Sequence, residues 1–132
     1  MSEEDCTIHV QVKRAYEKPS LDDGIRILVD RLWPRGLTKK AAAVDRWAKE
    51  VAPSTQLRTW FAHDPERWME FRRRYTAELQ EKSEMLGEIR GLARENPITL
   101  VYAARDEAHN GAVVLREVLI GKWPLRWYLR SR

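Results

Sequence analysis

The chain has 132 residues, of which 43% are hydrophobic and 33% charged, with a formal net charge of +4; this excludes a disordered or collagen-like chain and fits one domain, residues 1–132, able to build a core without disulfides. The longest apolar run, Leu100 to Ala104, is far shorter than the roughly twenty residues of a membrane span. An acidic start (Glu3, Glu4, Asp5) and a single cysteine, Cys6, suggest neither a signal peptide nor a disulfide framework, so a cytoplasmic location is expected.

Thr7 to Lys13 alternates, with Ile8, Val10 and Val12 on one side, and predicts a half-buried strand near an edge. The turn residues Lys18-Pro19-Ser20 and Asp22-Asp23-Gly24 predict a loop. Ile25 to Arg31 is β-branched and nearly continuous, as a strand buried on both faces should be. Trp33-Pro34-Arg35-Gly36 breaks it. Thr38 is a good N-cap for a helix running to about Val51, with Val44, Trp47 and Val51 on one stripe. A short helix follows Pro53-Ser54. Asp64-Pro65 restarts the chain into a helix carrying Trp68, Phe71, Tyr75 and Leu79, extended or restarted through Leu86, Ile89 and Leu92. After Asn96-Pro97, Ile98 to Ala104 is a second buried strand. Asp106 is placed to cap a last helix ending at Gly121.

Two apolar strands, each followed by a helix, predict an α/β three-layer sandwich around a small, mainly parallel sheet. Ligands of such sheets bind beyond the carboxyl ends of the strands. Asp30 to Gly36 and Tyr102 to Asn110 meet there. With helices capped at Thr38 and Asp106, two helix N-termini would point at one crevice.

These two segments also carry a resemblance. Val29-Asp30-Arg31-Leu32-Trp33-Pro34-Arg35-Gly36 is a long and unusual string, accompanied by Trp47, Leu57-Arg58, His63-Asp64, Tyr102, Asp106 and His109-Asn110. In these features the chain resembles the bacterial YeaO-like proteins, domain-of-unknown-function family 488, over roughly residues 8–120. Arg105 stands where that family more often has Lys, and some of its members have Gln at the place of His109. The resemblance implies an α/β three-layer fold and implies no activity. The family core would occupy about 8–121, leaving 122–132 as a basic aromatic tail.

In the first segment, Arg31 and Arg35 would clamp an anion, Gly36 would permit close backbone approach, and Trp33 would form a wall. The competing structural reading has Trp33 wedging the loop and Arg35 paired with Asp30 or Asp106. In the second segment, Asp106 and His109 lie three apart and form a candidate proton-transfer pair. Tyr102 would be a second wall, Arg105 a further cation and Asn110 an orienting amide. Here the competing reading makes Asp106 only a cap and His109 only a surface residue.

No Ser or Cys in either segment offers a nucleophile, and the scattered histidines do not make a metal site, so neither cofactor nor metal is expected. Arg72-Arg73-Arg74 reads as a salt-bridged helix face through Glu70–Arg74, Arg74–Glu78 and Glu78–Lys82, and Trp47, Trp60 and Trp68 read as core.

Residues 1–110 balance nineteen bases with nineteen acids, whereas residues 111–132 hold five bases and one acid. Specific duplex nucleic-acid binding is therefore not expected of the body. The expected partner is a small anionic ligand, carrying phosphate or carboxylate. The alternative is a non-enzymatic module that binds nucleic acid, a protein or a second copy through the tail.

Overall fold

A computed structural model describes residues 8–121. The 122–132 tail, Cys6 and the acidic start lie outside them, and so does every expectation placed on them.

Four stretches form one sheet: β1 (Val10–Arg14), β2 (Ile25–Leu28), β3 (Arg46–Trp47) and β4 (Ile98–Tyr102). The order is β1-β4-β2-β3 and every pairing is parallel. The two apolar strands are thus direct neighbours, with Ile25 opposite Ile98 and Leu28 opposite Val101. All five residues of β4 are buried, as a central strand covered on both faces requires. The alternating β1 lies at an edge.

Side chains alternate across the pleat, so the strands feed two cores. Val10, Ile27, Ile98, Leu100 and Tyr102 join the larger one with Phe61, Phe71, Tyr75, Leu86, Ile89 and Leu115. These residues belong to α2 (Thr55–Phe61), α3 (Trp68–Gln80), α4 (Ser83–Glu95) and α5 (Gly111–Ile120). Leu28 and Val101 face the other way, into a small core closed by Trp33, Leu37, Val44 and Trp47. The short α1 (Lys39–Ala42) lies on that side, held by the Arg26 side chain through the Ala42 carbonyl. The result is a parallel sheet with helices on both faces, a three-layer α/β sandwich.

The helix expected from Thr38 to Val51 is corrected. Thr38 does cap, its hydroxyl accepting from the Ala41 N–H. Ala43 then turns left-handed at φ 50° and ends the helix after one turn. Arg26 binds the freed Ala42 and Ala43 carbonyls, and Asp45 accepts from and donates to the Arg26 backbone. Tertiary pairing with β2 thus overrides helical spacing: Val44 and Trp47 cover a sheet face rather than forming a helix stripe. The last helix is corrected too. Asn110 caps it, accepting from the Val113 N–H, and Asp106 instead closes the preceding turn.

The tryptophans expected in the core are half-buried. Trp60 carries the guanidinium groups of Arg67 and Arg74 at 5.3 and 4.3 Å from its ring centre. Glu70 pairs with Arg73 and Arg74, but Glu78 turns inward to Ser54 and Lys82 to the Glu50 and Ala52 carbonyls.

Ahead of β2, Gly24 has φ +65°, and a Cβ there would lie 2.0 Å from the Pro97 carbonyl oxygen. Only glycine permits this approach. The Ile25 N–H donates to that same carbonyl. Beside it Asp23 and Arg26, both buried, pair at 2.7 Å, with Lys13 at 3.1 Å from the same carboxylate. Burial pushes the Asp23 carboxyl up, but the Ser20 N–H, Lys13 and Arg26 outweigh it, and its pKa falls below the ordinary 3.8.

Candidate functional site

After β2 the chain passes to the side of the small core, through Trp33 and Leu37 to α1. After β4 it passes to the other side, into α5, which packs in the large core. Connections that leave neighbouring parallel strands toward opposite faces open a crevice between the strand ends. A cleft of about 710 Å³ lies there.

Both sequence segments border it. Arg31, Trp33, Arg35, Tyr102, Arg105, Asp106 and Asn110 all line the cleft. Gly36 and His109 are not among the lining residues. Gly36 has the left-handed φ of 81° that its loop requires. Of the two expected helix N-termini, only that of α5 reaches the cleft, through Asn110 and Gly111. The start of α1 does not.

The base is apolar: Phe61, Phe71 and Tyr102 line it and are 5%, 2% and 3% exposed. Phe61 stacks on Phe71 with ring centres 4.3 Å apart. Tyr16 forms part of the rim and donates its hydroxyl to the Arg35 carbonyl. Trp33 is fixed by its indole N–H on the Leu37 carbonyl and by an edge contact with Trp47. Neither expected ion pair of Arg35 forms: its side chain has no hydrogen bond or ion pair among the described residues.

Asp30 lies between the two strand ends. One carboxylate oxygen, Oδ2, accepts from the Ala103 N–H at 2.8 Å, and its own carbonyl accepts from the Trp47 indole. Asp30 thereby ties β2, β4 and β3 together at the cleft. Burial raises its pKa above the ordinary 3.8, and the Ala103 N–H and the charges of His63 and Arg58 offset only part of this. Its other oxygen has no hydrogen bond among the described residues.

Arg31 spans the side wall, donating to the Ala52 and Pro53 carbonyls. The Asp106 turn closes on itself: Oδ1 accepts from the Ala108 and His109 N–H groups, while Oδ2 meets His109 Nδ1 at 2.9 Å. The His109 hydrogen bond, followed by the backbone ones, holds the Asp106 carboxyl below its usual range. The imidazole packs edge-on against Trp68, 5.0 Å between ring centres. Asn110 Nδ2 donates to the Asp106 carbonyl, so this amide is committed to both the turn and the cap. Burial raises the Tyr102 hydroxyl pKa, as do the charges of Glu107 and Glu17.

Sequence reasoning missed Arg58 and His63 as cleft residues and saw Asp30 only as a neighbour of the arginines. Arg58 projects from α2, whose start is held by Ser54 and Glu78. Ala62 and His63 both have left-handed backbones, φ 49° and 57°, which swing His63 back to the cleft instead of leaving it in a capping turn. One signal was available for Asp30: a carboxylate at the end of an apolar strand calls for a purpose. No sequence pattern announces two consecutive left-handed residues.

The cleft thus carries four arginines and two aspartates over an aromatic base. Arg35, Arg58 and Arg105 have no ion pair among the described residues, and one stretch of the lining, Asp30 to Arg35, belongs to the unusual sequence string.

A family model described as "Inactive DUF488-N3 subclade" matches residues 9–126. The chain is 46% identical over 113 residues to the uncharacterized protein Rv3073c of Mycobacterium tuberculosis, covering 86% of this chain and 95% of that one. It is 41% identical over 112 residues to the uncharacterized protein YeaO of Escherichia coli, covering 85% and 97%. No solved structure matches it significantly.

Proposed function

Because the chain belongs to the DUF488 family, in the subclade described as inactive, we propose that its cleft binds a small anionic ligand, phosphate- or carboxylate-bearing, and is a binding site rather than a centre of turnover. The observation that carries this reading is the set of three arginines, Arg35, Arg58 and Arg105, that line the cleft without an ion pair among the described residues. Arginine presents a planar fork that matches carboxylate and phosphate oxygens. An unpaired cluster of like charges at a concave, partly apolar surface is relieved by an anion.

The ligand's acid group sits among these three guanidinium groups, with Arg31 holding the side wall in place. Asn110 and Gly111 bring the N-terminus of α5 to the same side, where the helix dipole favours negative charge. Asp106 and His109 act as a positioning pair: they lock the turn that carries Arg105. His109 lies outside the lining, which supports that role better than proton transfer to a bound ligand.

Calorimetric titration with inorganic phosphate, phosphomonoesters and small carboxylates tests the reading. Wild type should bind at least one of these classes, and Arg35→Ala or Arg105→Ala should weaken binding by about 1.5–3 kcal/mol each, the value of a hydrogen bond to a charged group. Absence of binding across the panel, or unchanged affinity in both variants, would end the proposal.

A further inference from the structure

The composition of the cleft says more about the ligand than its charge. A bare oxyanion needs only cations and water around it. This cleft is about 710 Å³, within the ~300–1,000 Å³ typical of sites for organic molecules. Its base is aromatic, made by Phe61, Phe71 and Tyr102, and Tyr16, 43% exposed, offers a further ring at the rim. Aromatic surfaces and arginine planes both favour stacking with flat rings.

Asp30 adds a second constraint. It is half-buried between the ends of β2 and β4, and Ala103 satisfies only one of its carboxylate oxygens. An acid group placed against it would be repelled. A neutral N–H or O–H donor there would satisfy the open oxygen, and a half-buried polar atom gains by acquiring such a partner.

Building on the anion-binding reading, we propose that the ligand is an aromatic organic acid: a planar ring seated on the aromatic base, with its acid group at Arg35, Arg58 and Arg105 and a ring N–H or O–H donated to Asp30. Asp30 is the specificity-determining residue. A nucleotide and a simple aryl acid share this chemistry.

The test uses the full chain and three ligand pairs in calorimetric titrations. Phenyl phosphate is compared with glycerol phosphate, for the ring. Indole-3-acetate is compared with 1-naphthylacetate, for the N–H donor. Guanosine 5′-monophosphate is compared with inorganic phosphate, for the nucleotide source. The aromatic member should bind about tenfold or more tightly in the first and third pairs, as ring stacking supplies. Indole-3-acetate should exceed 1-naphthylacetate in wild type. That advantage should vanish in Asp30→Asn, which is isosteric and keeps an oxygen acceptor for the Ala103 N–H, while naphthylacetate affinity stays unchanged. A melting curve of Asp30→Asn verifies that it folds. Tight binding by guanosine 5′-monophosphate alone assigns a nucleotide; tight binding by phenyl phosphate as well assigns the wider aryl class. If phosphate and glycerol phosphate bind as well as the aromatic ligands and Arg35→Ala weakens all of them, the aromatic inference is wrong while the anion site stands. If nothing binds, both fall.

Discussion

Two groups of charge flank the same pair of strands and are finished in opposite ways. Near the start of β2, Asp23, Arg26 and Lys13 form a closed set: every charge has a partner, the aspartate pKa is depressed, and Arg26 spends its remaining donors on the carbonyls of α1. At the far ends of the same strands, Asp30 is pushed up by burial and three arginines form no ion pair among the described residues. The first cluster is complete within the protein, as a structural ion pair must be when taken out of water. The second is left incomplete. A fold that can saturate one buried aspartate so fully has left the other short of partners where a cleft opens, and that contrast marks the cleft as the place where something external completes the set.

The largest expected effect that would break this contrast is at the closed cluster. Arg26→Met should cost about 3–5 kcal/mol of stability, because it removes the nearest partner of a buried carboxylate and the side-chain donors to the Ala42 and Ala43 carbonyls. Denaturant unfolding measures it, and a loss below about 1 kcal/mol would show that the cluster is no more essential than a surface pair. Next comes the open end. Arg105→Ala should change the unfolding free energy by no more than about 0.5 kcal/mol, since it removes no internal contact. A large destabilisation would mean that this arginine already has its partner inside the protein.

A further test separates the two aspartates by pH. The Asp23 pKa is lowered in the fold, so its contribution is present above about 3.8 and is lost as pH falls through the lowered value. The Asp30 pKa is raised, so the native state binds the extra proton and stability declines as pH rises upward from 3.8 through the raised value. Asp30→Asn should remove that decline and leave the protein at least as stable as wild type at neutral pH. Unfolding curves at a series of pH values would show it; an unchanged decline in the variant places the titrating group elsewhere. A last contrast concerns Trp60. Trp60 is half-buried against the edge of the large core and carries Arg67 and Arg74 on its ring, so Trp60→Ala should cost about 2 kcal/mol, from two exposed cation–π contacts and partial burial, under the 3–5 kcal/mol of a fully buried aromatic.

Continuous apolar runs made β2 and β4 legible as buried parallel neighbours, because nothing else keeps such strands from water. The same reasoning placed the cleft at their carboxyl ends and named seven of its lining residues, since the loops there follow directly from strand direction. The segment from Ala43 to Val51 was not legible. Its helical spacing was real, but Arg26 and Asp45 contribute hydrogen bonds that exist only after β2 is in place. Arg58 and His63 were hidden for a related reason: they enter from α2 and a left-handed turn that chain order does not link to the sheet edge. Side chains brought by a neighbouring strand's own loop can be foreseen, whereas those brought by packing cannot.

The contact between Gly24 and Pro97 has a consequence at the opposite end of the strands. It acts as the zero mark of a ruler, fixing where β2 begins relative to β4. From there the pairing runs from Ile25 opposite Ile98 to Leu28 opposite Val101, about 10 Å of strand, before Asp30 reaches the Ala103 N–H. Any side chain at position 24 would force the two strands apart or out of step, and the error would travel along the ladder to the Asp30–Ala103 bond. A substitution that touches no ligand would then be felt as a change in the spacing of the cleft walls, so the width of the mouth is set from the other side of the molecule.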